Sequence, residues 1–216
     1  MPEARTARAL IEIGRRFYAR GWVMGTSGNF STVVSTTPLR LAITASSVHK
    51  GRLKAAHVLR LDEQGRATAG RQRPSAESLI HLEIVRRRDA RAVLHTHSVW
   101  STLFSDVYGE RGGVTLAGYE MLKGLDGIDT HEREVWIPIV ENDQDMSRLS
   151  RRVGDILAAH PAAPAILLRR HGLYTWGKSL AEAERHVEVL EFLFETVGRT
   201  ATFIAPEKSH GIPAHS

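Results

Sequence analysis

The stretch Ala92-Val-Leu-His-Thr-His-Ser98 constrains this chain more than any other, because an apolar run stops on two histidines separated by one residue. In a β-strand residues i and i+2 share a face, so His95 and His97 would present two imidazoles side by side at a strand end. A second apolar run, Ala165-Ile-Leu-Leu-Arg-Arg-His171-Gly172, stops at a His-Gly turn and offers a third imidazole. Three histidines with a fourth position open is the arrangement of a catalytic zinc, whereas a structural zinc closes all four positions. The competing reading is a pair of hydrogen-bonded buried imidazoles. The pattern predicts a metalloenzyme with His95, His97 and His171 as ligands to Zn2+.

Composition narrows the chemistry. The 216 residues include no cysteine, which removes disulfides, thiolate ligands and a cysteine nucleophile together. The length suits one domain over residues 1–216, with 203–216 expected to be a flexible tail. No apolar run approaches the ~20 residues of a membrane span, and the first residues lack the apolar segment of a signal peptide, so a cytoplasmic protein without membrane contact is expected. The net charge of +5 raises nucleic acid as a partner. The cations are scattered, however, and the densest run, Arg86-Arg-Arg88, falls where a helix C-terminus is expected. A solvated surface or an anionic small substrate accounts for the balance, and no nucleic acid is expected.

Periodicity predicts helices over 6–18, 75–88 (with Ser75 as N-cap and Leu79, Leu82, Ile84 and Val85 on the apolar face), 98–103, 119–125, 143–159 and 180–200. On the last of these, Glu182, Glu184, Glu188, Glu191 and Glu195 are expected on the polar side. Strands are expected over 30–34, 39–44, 58–62, 92–97, 135–140 (interrupted at Pro138) and 165–169. Consecutive strands mixed with alternating helices argue for a helix-flanked mixed or antiparallel sheet.

A second cluster concerns anions. Gly25-Thr-Ser-Gly-Asn29 offers backbone N–H groups in a turn of the kind that forms anion-binding nests, with Ser27, Gly28 and Asn29 as candidates. Thr44, Ser46 and Ser47 add hydroxyls and Lys50 a cation. Ordinary turn chemistry would produce the same residue types without a ligand.

In this order, Gly25-Thr-Ser-Gly-Asn-Phe-Ser31, Ile43-Thr-Ala-Ser-Ser47, Pro74-Ser-Ala-Glu77, His95-Thr-His97 and His171-Gly172 resemble the class II aldolase/adducin family. Gly118-Tyr-Glu-Met-Leu-Lys-Gly124 and Ile137-Pro-Ile-Val-Glu-Asn-Asp-Gln-Asp145 resemble its dehydratase branch. The resemblance implies an α/β fold, a three-layer helix-sheet-helix with a central mixed, largely antiparallel sheet. It implies that His95, His97 and His171 hold one zinc per subunit, and that Glu77 is the acidic residue beside the metal. Some dehydratases carry a cysteine there, which leaves the role of Glu77 open. Glu120 matches the acid/base residue of the dehydratases. Arg170 departs from the small residue expected before the third histidine; it would either disturb the site or point to the surface. The implied activity is loss of water from 5-methylthioribulose 1-phosphate in methionine salvage, by a homotetramer with sites near its subunit boundaries. The alternatives are a sugar-phosphate aldolase or epimerase, and a non-catalytic adducin-like scaffold.

Overall fold

A computed structural model describes residues 2–69 and 72–204, so the part of the expected tail over 205–216 lies outside the described residues. Nine strands share one sheet: β1 (Asn29–Thr36), β2 (Leu39–Thr44), β3 (Val58–Leu61), β4 (Ala67–Ala69), β5 (Ala92–Thr96), β6 (Gly113–Leu116), β7 (Val135–Val140), β8 (Ala165–Leu168) and β9 (Gly172–Gly177). Their order is β4-β3-β2-β1-β5-β9-β8-β7-β6. Neighbours run antiparallel except β7 and β8, which pair in parallel, so the sheet is mixed and largely antiparallel as expected.

Helices cover both faces. On one, α2 (Ser78–Arg88) and α4 (Met146–Ala159) set Ile80, Leu82, Leu149, Val153 and Leu157 against Leu41, Leu59, Val93 and Ile166 of the sheet. On the other, α1 (Pro2–Ala19), α3 (Val99–Val107) and α5 (Leu180–Ile204) bury Leu10, Phe17, Phe104, Val187 and Phe194 against Phe30, Leu94 and Leu173. The two-residue period of β5 explains the division: Val93 faces the α2–α4 layer, and Ala92 and Leu94 face the α1–α5 layer. Caps set the starts of α3, α4 and α5: Ser98 accepts from the backbone N–H of Ser101 at 3.0 Å. Asp145 accepts from the backbone N–H of Ser147 and Arg148, both at 3.0 Å, and Ser179 accepts from that of Glu182 at 3.1 Å. Among the described residues no helix is long and apolar enough to cross a membrane.

Several expectations need correction. The second helix begins at Ser78, because Ser75 organises a preceding turn: its carbonyl accepts from Ser78 N and its hydroxyl from Glu77 N. Its buried face carries Ile80 and His81, while Leu79 is only partly buried. Pro138 does not interrupt β7; it sits opposite Gly113, and pairing with β8 starts one residue later at Ile139, so its missing N–H breaks no bond there. The strand expected over 165–169 ends at Leu168, and β4, β6 and β9 were not anticipated. The last helix runs through Phe203 and Ile204, which were assigned to the tail. Glu191 is 2% exposed, inside the core and not on the polar side.

Candidate metal centre and its cleft

The site forms at the end of β5, on the face turned to α2. His95 stands opposite Tyr174 of β9 in the strand register, and its Nδ1–H donates to the Leu173 carbonyl at 2.9 Å. That bond places the proton on Nδ1 and leaves the Nε2 lone pair aimed out of the strand end. His97 follows one residue beyond β5, its backbone N–H donating to the Trp22 carbonyl at 2.8 Å. His171 arrives from the β8–β9 turn, where Arg170 takes a left-handed conformation with φ of 56°. Gly172 makes the approach possible, because a Cβ there would be driven into the Thr96 carbonyl. Arg170 itself points to the surface: its Nε donates to Asp106 at 2.7 Å, and its backbone N–H to the Ser105 hydroxyl at 2.8 Å.

The three Nε2 atoms converge. His95 to His97 is 2.7 Å, His97 to His171 is 3.1 Å and His95 to His171 is 3.3 Å. Three nitrogens about 2.05 Å from one tetrahedral cation would lie ~3.3 Å apart, so the donor set fits a divalent metal with little movement. The Glu77 carboxylate joins the group, with Oε1 3.1 Å from His171 Nε2 and 3.7 Å from His95 Nε2. Burial, followed by the charge of His171, pulls the His97 pKa down to about 4, and burial pulls that of His95 well below its ordinary value. Both rings are therefore neutral, the form that ligates. Burial pushes the Glu77 carboxyl up, but its contacts with His95, His171 and Asn29 outweigh that and hold it well below the carboxylate range.

A cleft of about 160 Å³ runs from this cluster between two serine-bearing loops. Thr26, Ser27, Gly28, Asn29, Ala45, Ser46, Ser47, Lys50, Ser75, Glu77 and His97 line it, a volume equal to about five waters and sufficient for one phosphate group. Lys50 ties the loops together: buried, it donates to the Thr26 and Val48 carbonyls, each at 2.9 Å, leaving one N–H, and burial lowers its pKa to about 8. The Ser27 hydroxyl is buried beside the cleft with no partner. Gly28 has φ of 72°, and a Cβ there would come within 2.6 Å of the His95 carbonyl, so the loop can lie against the metal strand only with glycine.

The structure thus brings together His95, His97, His171, Glu77, Ser27, Gly28, Asn29, Ser46, Ser47 and Lys50. It does not bring Thr44, whose buried hydroxyl accepts from Phe30 N at 3.1 Å. Nor does it bring Glu120, which stands exposed in a short 3-10 turn (Glu120–Gly124), bonded to Lys123 at 2.5 Å. Sequence reasoning missed Thr26, Ser75, Tyr174 and His81. The signal for Tyr174 was the alternation of Leu173-Tyr-Thr-Trp176, which puts Tyr174 and Trp176 on the face of His95.

A largely antiparallel sheet between helical layers, with three histidines and a glutamate converging beside an anion-sized cleft, defines a class. The chain belongs to the class II aldolase family: the model of the class II aldolase and adducin N-terminal domain matches residues 8–197. Within it, the chain is 48% identical over 194 residues to the methylthioribulose-1-phosphate dehydratase of Methylococcus capsulatus, covering 89% of this chain and 92% of that one. It is 42% identical over 193 residues to the enzyme of that name from Marinobacter nauticus, with coverage of 89% and 92%. The L-fuculose-1-phosphate aldolase of Thermus thermophilus superposes with a TM-score of 0.72 at 25% identity, over 93% of this chain and 97% of that one.

Proposed function

We propose that this protein is a hydro-lyase that converts 5-methylthioribulose 1-phosphate to 2,3-diketo-5-methylthiopentyl 1-phosphate, a step of methionine salvage. The observation that carries the reading is the continuity of the cleft, whose lining passes from Ser27, Ser46, Ser47 and Lys50 to Glu77 and His97, two members of the converging histidine–glutamate cluster. Identities of 42–48% with dehydratases over most of the chain support the substrate.

His95, His97 and His171 would hold a zinc ion, with Glu77 beside it. Bound there, zinc would act as a Lewis acid on the substrate's C2 carbonyl and C3 hydroxyl oxygens. Ser27, Ser46, Ser47, Lys50 and the N–H groups around Gly28 receive the phosphate, which fixes the distance of the sugar carbons from the histidines. The reaction removes the C3 proton and expels the C4 hydroxyl as water, and the enol left behind ketonises. Glu77, an ionised carboxylate facing the cleft, orients the bound groups or accepts a proton. Glu120 serves as the acid/base residue. Because it is exposed and outside its own chain's cleft, it would have to act across a subunit boundary. That reading requires a homotetramer with sites at its boundaries, and the exposed row Val99, Leu103 and Val107 on α3 supports self-association. The setting is cytoplasmic.

Mass spectrometry of the products formed by zinc-loaded protein tests the reading. A product lighter than the substrate by one water is expected. Dihydroxyacetone phosphate with methylthioacetaldehyde would replace the dehydratase by an aldolase, and unchanged substrate would refute both.

A further inference from the structure

Behind Glu77 lies a chain of buried hydrogen bonds in which every donor has a defined direction. Asn29 donates from its amide nitrogen to Glu77 Oε2, at 2.5 Å. The same amide group reaches the Ser75 hydroxyl at 3.3 Å. The Asn29 carbonyl oxygen is then left facing His81, and it accepts from the ring Nε2–H. With the proton on Nε2, His81 Nδ1 is bare and accepts from the Ser31 hydroxyl at 2.7 Å. His81 is wholly buried, and burial lowers its pKa to about 4, so the ring is neutral and its tautomer carries the directional information.

The sequence builds this chain by two periodicities. Asn29 and Ser31 are two residues apart on β1 and present side chains to the same face. Glu77 and His81 are four apart at the start of α2, so they lie one above the other. The helix thereby puts one ring between the two strand side chains, and the carboxylate beside the first of them. Nothing else reaches the Asn29 carbonyl oxygen from α2.

We propose that His81 is a positioning residue for the metal centre: it fixes which end of the Asn29 amide meets Glu77, so that the carboxylate always faces a donor. This rests on the reading of Glu77 as part of the site. If His81 offers no donor, the Asn29 carbonyl oxygen is left buried without a partner, and only Glu77 still orients the amide. The amide then shifts towards another donor, and the carboxylate loses its fixed place beside His171. The assignment also gives Asn29 a second duty, since each end of its side chain is already engaged within the protein.

The test compares His81→Gln, whose amide can place a donor and an acceptor where the two ring nitrogens stood, with His81→Leu, which offers neither. Metal affinity is measured by competition with a chromophoric chelator, and kcat and KM are measured on the metal-loaded protein. His81→Leu is expected to lose roughly 10–100-fold in metal affinity or kcat with KM little changed, as orienting partners of metal sites do. His81→Gln should recover most of that loss. Equal damage in both variants, or none in either, overturns the proposal. Nitrogen-15 NMR of the metal-free wild-type protein supplies an arm independent of activity and of any folding defect in the leucine variant. A proton on Nε2 is expected, and one on Nδ1 overturns the assignment. If the NMR and chelator arms hold while the wild-type protein leaves the sugar phosphate untouched, the functional reading fails and the positioning role stands.

Discussion

The His95 imidazole lies flat on the Tyr174 phenol, with ring centroids 3.8 Å apart and planes 12° apart. Together with the Nδ1 bond to Leu173, this stack removes the ring's two freedoms, rotation and tilt, before any metal arrives. The Tyr174 hydroxyl is buried against Glu77 without a well-formed hydrogen bond, and burial followed by the Glu77 charge raises its pKa well above the ordinary value.

Tyr174→Phe keeps the stack and removes the orphaned hydroxyl. Because a buried unpaired polar group costs ~1–3 kcal/mol, the variant should be at least as stable as the wild type in urea unfolding. Metal content should not change. A clear loss of stability would show that the hydroxyl bonds to Glu77 in solution. Tyr174→Ala should instead cost ~3–5 kcal/mol, since it empties a fully buried position between two layers of the core.

Metal removal should register as lost stability. A cation bound only by the folded state at 1,000 times its Kd adds ~4 kcal/mol, which for a chain of this size is about 8–16 °C in Tm. A chelator should lower Tm by that order, and zinc should restore it. His97→Ala should respond much more weakly to both, because it removes one of the three converging imidazoles and leaves Glu77 to complete the set from a position not arranged for it. An undiminished response in that variant would remove His97 from the ligand set.

Glu120→Gln should abolish turnover while metal content and Tm stay at wild-type values, because Glu120 touches only Lys123 and His131 at the surface. General acid–base assistance is worth roughly 10²–10⁴-fold, and the loss in kcat should fall in that range. Retained activity would take Glu120 out of the mechanism. Light scattering bears on the same point, since a monomer would leave the residue with no cleft to reach.

The legible part of the site was the part written along single strands and turns. His95, His97 and the His171-Gly172 corner follow from a two-residue period and from a glycine that lets two backbones touch. The loop from Gly25 to Asn29 follows from turn chemistry. Tyr174 was legible only as to its face, from the alternation over 173–176, because its place beside His95 depends on the register of β9 against β5, two elements about 80 residues apart in sequence. His81 and Glu191 were hidden for a related reason. A polar residue in a helix is normally assigned to solvent, and only the neighbouring strand decides that Asn29 and Ser31 receive one and Thr96 the other. Long-range partners override the local pattern at these positions.

Two of those hidden groups should make stability depend on pH in opposite directions. His81, with a folded pKa near 4 against an ordinary 6.5, refuses a proton that the unfolded chain accepts. Its contribution is complete above about 6.5 and is lost as pH falls to 4, a change of ~3 kcal/mol. Glu191 is the converse: burial raises its pKa to about 7 against an ordinary 4.5, outweighing the hydroxyls of Ser98 and of Thr96, which donates to one oxygen at 3.0 Å. The folded state keeps a proton that the unfolded chain has released, so its contribution is complete below about 4.5 and is lost as pH rises through 7, again ~3 kcal/mol. The two trends overlap in the wild type, and the clustered histidines add their own, so the variants must separate them. The stability of Glu191→Gln relative to wild type should rise between pH 5 and 8, because the glutamine never has to bury a charge. That of His81→Gln should rise between pH 7 and 4. Urea unfolding at a series of pH values measures both differences. A flat difference for Glu191→Gln would mean that the carboxyl titrates alike in the folded and unfolded chains, and that Thr96, between the two histidines of the metal strand, leans on a group with an ordinary pKa.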